Sequence, residues 1–476
     1  MRSLALHTLA VLLIAVPAAV AADAARPIPQ NPEKQDQRFR DLLEWNRKAL
    51  GGAFEAAGTK DSRWDQPAGA ALEAAARLFG RAIDPQAKEE EAYAAAKRAV
   101  DAGCADPLIL YLYARFSIAP NDPGSAESKR RWAAAATAME HATYPPLRRA
   151  VALAQAGMAL AKVQDATPEE KKEASRLLDA ALALVPHAAD KADADVEAQD
   201  EWFAATKEII EGQRLLTGDY KVSFDRADKV LAKAPGLKLL RLQARGDYLI
   251  RHAWEARGIG MGRTVAADSG RKFGERLVEA YKALDQAWKL RPEGTRTPGL
   301  MLVVLKGLGG PREVMEEWFR RAIEADGNNA NACEVKMDWI DPKWHGTPED
   351  VLAFGRACRA TKNWRAGITL QQADSHLRAS YFLPPDQREA YLPSKEVWGD
   401  IRAVYEEYLG HYPEDYVRRS MYAAYCYMCR RYAESEKQFQ IVGKKLTPNR
   451  FVHMDTMQAF HDSAAAMAKS TPEPKE

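Results

Sequence analysis

Ala174, Leu178, Ala181 and Pro186 stand at offsets 0, 4, 7 and 12 of the stretch ASRLLDAALALVP, and Ala280, Leu284, Ala287 and Pro292 repeat that spacing in AYKALDQAWKLRP. Offsets 0, 4 and 7 fall on one stripe of an α-helix. Small residues at the first and third positions let a neighbouring helix approach closely, and the proline stops the helix. Looser copies occur at Ala92, Ala96, Ala99; at Ser223, Ala227, Val230, Pro235; and at Met315, Phe319, Ala322. Further copies are Ala353, Ala357, Ala360; Ile401, Tyr405, Tyr408, Pro413; and Ser435, Phe439, Val442. The third position advances from 287 to 322 to 360, then from 408 to 442. These steps are close to the ~34 residues of one helix-turn-helix unit.

Clusters of Pro, Gly and Asn/Asp, such as APNDPGS, DATPEE, LTGDY and ADGNNA, punctuate the helical stretches. No segment sustains the apolar/polar alternation of a half-buried strand, so the pattern predicts a nearly all-α fold. One hairpin reads in detail. Residues Asn329 to Ile340 form a helix, DPKWHG turns, Thr347 caps with Pro348 in the first helical position, and Asp350 to Ala360 form the second helix. Facing residues of an antiparallel pair have nearly constant index sums, which brings Cys333 near Cys358. The two are either a disulfide, worth about 3 kcal/mol by loop closure, or a pair of packed thiols. Asp341 and Asp350 suit the helix ends, Trp344 covers the end of the hairpin, and His345 faces solvent on the loop.

Over most of residues 70 to 450 the chain resembles the tetratricopeptide repeat family in degenerate form. The resemblance implies an all-α, right-handed superhelix of antiparallel helix pairs, an α-solenoid whose groove holds a peptide or protein. Members that grip a C-terminal carboxylate do so with Lys and Asn at set places. In the unit ending at Val442 those places hold Val417, Met421 and Ala424, so groove contacts there are expected to be apolar and aromatic, from Tyr422 and Tyr425. The motifs WEARGIGMGRTV, EEWFRRAIEADGNN, DPKWHGTPEDVLAFGRAC and TKNW, within about Leu237 to Leu370, are similar to a family of exported bacterial proteins of uncharacterised activity. The expected organisation is a signal peptide at 1–21, a flexible linker at 22–35 and helical repeats at 36–256. A central segment at 257–380 with a Gly-rich connector and the PKWHG hairpin follows, then repeats at 381–468 and a disordered tail at 469–476.

The N-terminus changes the expected compartment. Arg2, the apolar run Leu4 to Val16, Pro17 and the small-residue stretch AAVAADAA have the layout of a secretory signal cleaved after Ala21. No apolar run reaches the ~20 residues of a membrane span. The mature chain is therefore expected in the periplasm or outside the cell, with no membrane insertion. A formal charge of +2 on 476 residues, with both signs interspersed, gives no long-range field for nucleic acid. The length exceeds what one core of ~250–300 residues supports, as a repeat array does.

Enzyme chemistry finds little footing. GIGMGRT follows the helical pattern LIRHAWEAR and lacks the Lys-Ser/Thr ending of a phosphate loop. Cys426 and Cys429 have redox or metal spacing, yet they sit inside an aromatic-rich helix, with Arg430 next and no second CxxC. His453 and His461 share a helix face but form no HExxH pair. No cofactor or metal is expected. The reading is a non-catalytic scaffold of the cell envelope that binds a protein or peptide, with Trp344, His345, Tyr422 and Tyr425 as candidate contacts. The rival is an enzyme whose pocket lies between the 257–270 connector and the 343–346 loop, built from Arg257, Arg263 and His345. A structural role in a homo-oligomer is a third reading.

Overall fold

The computed structural model describes residues 27–79, 84–85, 87–117, 124–190, 195–258, 260, 264–448 and 451–471. Among these residues every regular element is helical. Helix α1 (Pro32–Arg47) runs through a π-helical turn into α2 (Ala53–Ala57). Then come α3 (Asp65–Leu78), α4 (Glu89–Asp101), α5 (Pro107–Arg115), α6 (Ala126–Glu140), α7 (Pro146–Ala161) and α8 (Pro168–Leu184). The middle holds α9 (Val196–Thr217), α10 (Tyr220–Leu231), α11 (Lys238–Arg257), α12 (Ala267–Leu290), α13 (Arg296–Leu308) and α14 (Arg312–Ala325). The last part holds α15 (Ala330–Trp339), α16 (Pro348–Ala360), α17 (Gln371–Ser380), α18 (Pro385–Tyr391), α19 (Lys395–His411), α20 (Tyr416–Met428), α21 (Tyr432–Val442) and α22 (Met454–Ser470).

The boundaries follow local chemistry. Thr167 and Thr347 each accept from the backbone N–H three residues on, while Glu170 and Asp350 reach back, which gives two capping boxes followed by proline. Asp195, Asp219, Asn329 and Asp415 cap other helices. Gly218 ends α9 in the left-handed region at φ 74°, where a side chain would be strained.

Packing is mostly between neighbours in sequence, as a repeat array requires: α3 on α4, α5 on α6, α7 on α8, α11 on α12, α16 on α17 and α20 on α21. The alanine stripes form the seams, and Ala174, Leu178, Ala181, Ala280, Leu284 and Ala287 are all fully buried. One copy is out of register: α16 buries Val351, Phe354 and Cys358 and leaves Ala360 exposed. The leucine of each strict copy seats on glycines of neighbouring helices. A Cβ added to Gly157 or Gly212 would lie 2.7 or 2.9 Å from Leu178, and one on Gly246 would lie 2.6 Å from Leu284. Gly246→Val is therefore expected to overpack the α11–α12 seam and lower stability by about 3 kcal/mol. A shift of the urea midpoint at unchanged slope checks this, and an unmoved midpoint counts against a tight seam.

Two apolar clusters organise the chain. The first runs from Ile28 to Ile368 without a break at residue 257, and the second from Trp364 to Ala464. They meet near α17, not at the expected boundary of residue 381. Two segments expected to lack structure are helical instead. Asn31 caps α1, whose Pro32 to Gln35 fall inside the expected linker, and Lys469 and Ser470 belong to α22. Asn-Pro at a helix start is a sufficient signal for the first. The segment Tyr381 to Lys395 contains α18. The signal at 1–21 lies outside the described residues.

The stack curves until distant parts meet. Lys88 pairs with Glu414 at 2.5 Å, and Lys445 lies 3.8 Å from Glu90. Helix α1 lies across the inside of this curve. Its Lys34 donates to the Glu324 carbonyl at 3.0 Å, Gln35 exchanges hydrogen bonds with Gly327 and Asn328, and Asp36 pairs with Arg365 at 3.0 Å. Farther along, Arg38 pairs with Glu197, Trp45 donates to Asp195, and Asn46 donates to the Ala76 and Phe79 carbonyls. The expected groove is thus partly filled by the chain's own first helix.

Candidate functional site

Beside α1 remains a cleft of about 600 Å³. Its walls come from α1, α9, α11, α13, the α14–α15 turn, residues 365–367 and the α19–α20 corner. Residues far apart in sequence meet there only because the array bends back on itself.

The lining carries acids and bases, and the acids are already engaged. Asp247 accepts from Arg251 at 2.7 Å. Asp415 accepts from the Tyr408 hydroxyl at 2.7 Å and caps α20 through the Arg418 N–H. Asp326 accepts from the Asn328 N–H at 3.0 Å. Two of the four cations are engaged as well. Arg365 holds Asp36 and lies 4.2 Å over the Phe39 ring, and Arg296 lies 3.7 Å from Asp200 and 4.8 Å over Phe203.

Lys207 and Arg418 are different. Neither makes an ion pair or hydrogen bond through its charged end with a described residue, although both are accessible within the cleft. Desolvation holds the Lys207 pKa below its ordinary value, and Asp247 offsets it in part. Desolvation also opposes the charge of Arg418, but Tyr405, Tyr408, Asp415 and Asp374 outweigh it and raise its pKa. Gly367 beside it is left-handed at φ 68°, a conformation that a side chain would strain.

The sequence-derived candidates lie elsewhere. Tyr422 and Tyr425 are core residues at 1% and 0% exposure, which removes them as partner contacts. Tyr422 stacks on Tyr405 at 5.1 Å, and Tyr425 donates to Asp374 at 2.8 Å. Helix α20 buries every position from Arg419 to Cys426, so its apolar pattern gives no direction. Met421 and Ala424 are buried too, and Arg418 is the residue of α20's first turns that reaches the cleft.

Trp344 and Arg257 do converge, but on a stack and not on a pocket. Trp344 meets Trp254 edge-on at 5.5 Å, with Arg257 5.3 Å and Lys306 5.6 Å from its ring. His345 is exposed, as expected, and its Nε2 donates to the Lys306 carbonyl at 2.8 Å. These contacts fasten the 343–346 loop onto α11 and α13. Neither the cleft beside α1 nor the one lined by Phe54 and Leu72 reaches Arg257 or His345. Arg263, and most of GIGMGRT with it, lies outside the described residues.

The cysteines are all buried and unbridged. Cys333 and Cys358 meet as the index sums require, as thiols and not as a disulfide, and burial with the Cys333 contact pushes the Cys358 thiol well up. Cys429 is pushed up to about 12 by burial, which suits an inert packed thiol.

Lys207 and Arg418 have no motif around them. Lys207 is one polar residue of α9, and its placement depends on helices from the opposite side of the curve.

No family model matches the chain, and no curated protein matches it in sequence. Among solved structures, the crystal structure of yeast Tom70 is 12% identical, covers 92% of this chain and 95% of its own, and gives a TM-score of 0.27. The structure of Naa15/Naa10 bound to HypK-THB is 11% identical, covers 90% and 70% respectively, and gives a TM-score of 0.16. Likeness at that level says nothing about the cleft, whose chemistry rests on its own residues.

Proposed function

We propose that this chain is a non-catalytic scaffold of the cell envelope that holds a polypeptide segment against the inner face of its helical array. The observation that supports this reading most is the seat of α1. A mostly exposed helix with a thin buried side, Leu42 and Asn46, is held there by hydrogen bonds and ion pairs to distant units. Contacts of that kind to an extended or helical segment are how a partner polypeptide is gripped. Export follows from the Leu4–Val16 run and the small residues before Ala22.

A photo-crosslinking residue placed at Asn331, in the cleft, is expected to give polypeptide adducts in envelope extract. The same residue at Val222, 53% exposed and away from the cleft, is expected to give none. Adducts from Asn331 that persist after the extract is digested with protease, or equal adducts from both positions, contradict the reading.

A further inference from the structure

Helix α1 is long but thinly held. Of its 16 residues it buries only Leu42 and Asn46, whereas α7, also of 16, buries 11. A helix of that length is marginal in water by itself, so what keeps it formed is its seat. That seat is polar and two-sided. Asp36 pairs with Arg365 at 3.0 Å, and Arg38 pairs with Glu197. Residues two apart in a helix point to nearly opposite sides, so α1 lies between two walls, as a ligand lies in a groove, and not as a further layer of the stack. Two of its partners, Asn328 and Arg365, also line the cleft, as does its own Phe39.

The joint between α1 and the stack is also unusual. The helix continues into the π-helical turn Lys48–Gly52, where Gly51 and Gly52 stand in an unbroken helical path. Glycine there weakens a helix relative to alanine. Neither position needs it, because neither has a positive φ. A Cβ on Gly51 would meet no described atom within 4 Å, and one on Gly52 would meet only the Lys48 Cγ at 3.6 Å, an ordinary contact. A glycine pair that the closed structure does not use is accounted for by a second state in which the joint bends. Leu50, 1% exposed, pins that joint to the core. We propose that α1 is a hinged strap, which occupies the polypeptide seat in the free chain and swings about Lys48–Gly52 to yield it to a helical segment of a partner. Such a segment offers, as α1 does, an acid to Arg365 and a base to Glu197. This rests on the inner face being a polypeptide seat and specifies what guards it.

The probe is a fluorescein-labelled peptide of residues 31–47, α1 with its cap, and a scrambled peptide is the control. Both are titrated into three full chains: the parent, Gly51→Ala with Gly52→Ala, and Asp36→Arg with Arg38→Glu. None of these substitutions touches the seat. The first pair stiffens the joint, and the second repels α1 from Arg365 and Glu197. Apparent affinity falls with the fraction of chains whose seat is open. The stiffened chain is therefore expected to bind the peptide about tenfold more weakly than the parent, the loosened chain at least about tenfold more tightly, and the scrambled peptide is expected not to bind. Polypeptide adducts at Asn331 in envelope extract are expected to follow the same order. Equal peptide binding by the three chains, or binding by none, overturns the strap, and the stiffened chain judges it alone if the loosened one does not fold. Equal adduct yields at Asn331 in all three overturn competition between α1 and a partner and leave the scaffold reading standing. The expected peptide order with no Asn331 adducts in any chain supports a displaceable α1 and contradicts the scaffold reading instead.

Discussion

Asp106→Ala is expected to cost the fold about 2–4 kcal/mol, read as a lower urea midpoint. Asp106 is fully buried between α4 and α5. One carboxylate oxygen caps α5 by accepting from the Leu108 and Ile109 N–H groups at 2.9 and 3.3 Å. The other accepts from the Thr59 N–H at 2.9 Å, and the Tyr144 hydroxyl, at the start of α7, donates to both at 2.9 and 3.0 Å. Removing the carboxylate forfeits a cap worth about 1 kcal/mol. It also leaves the buried Tyr144 hydroxyl without an acceptor, at about 1–3 kcal/mol, while the N–H of the exposed Thr59 turns to water. Relief of the desolvated charge offsets part of this. Asp106→Asn keeps one oxygen on the cap and is expected to lose less. An alanine variant within about 1 kcal/mol of the parent chain contradicts the role of Asp106 as a junction of three segments.

Arg378→Met should be of similar size, about 3–5 kcal/mol. Arg378 is 6% exposed and donates to Asp338 at 2.6 Å and to Asp341 at 3.1 Å. Asp338 keeps Lys306 at 3.2 Å, but Asp341, 7% exposed, is left as a buried anion without its cation. The position matters beyond the pair. Arg378 lies on α17, beside the place where the two apolar clusters meet, so the loss is expected to weaken the coupling between them. The denaturation curve is then expected to broaden or split. Adding Asp341→Asn removes the stranded charge and is expected to recover a substantial part of the loss, a coupling that a double-mutant cycle measures. Additive losses at the two positions contradict a direct ion pair.

Elements governed by neighbours in sequence were legible. Asn329 and Thr347 cap α15 and α16 where the residue pattern puts them, and the alanine stripes of α8 and α12 lie in the seams. The contact of Cys333 with Cys358 followed from the same hairpin. The exceptions share one cause. Helix α17, QQADSHLRAS, reads as a solvated polar stretch, yet every residue but Asp374 is buried. Its partners are Asp338, Asp341, Tyr391, Asp400 and Tyr425, each supplied by a different helix or turn. A polar residue satisfied across the fold has the same local pattern as one facing water. The cleft was illegible for that reason too, because Lys207 and Arg418 come to line one cleft only after the array closes. Tyr422 and Tyr425 looked like groove residues because a helix that is apolar on all sides does not reveal which side faces out.

Closure of the array, which brings the first repeats against the last and assembles the walls of the cleft, is what the binding account depends on. Zero-length carbodiimide coupling of dilute, monomeric protein, followed by mass spectrometry of the digest, tests it directly, because the reagent joins only amines and carboxylates already in contact. The account predicts an amide between Lys88 and Glu414, 2.5 Å apart, alongside the local control Lys129 to Glu170 at 2.6 Å. Recovery of the control without the Lys88–Glu414 product would mean an open array with its ends apart, and would contradict the assembled cleft.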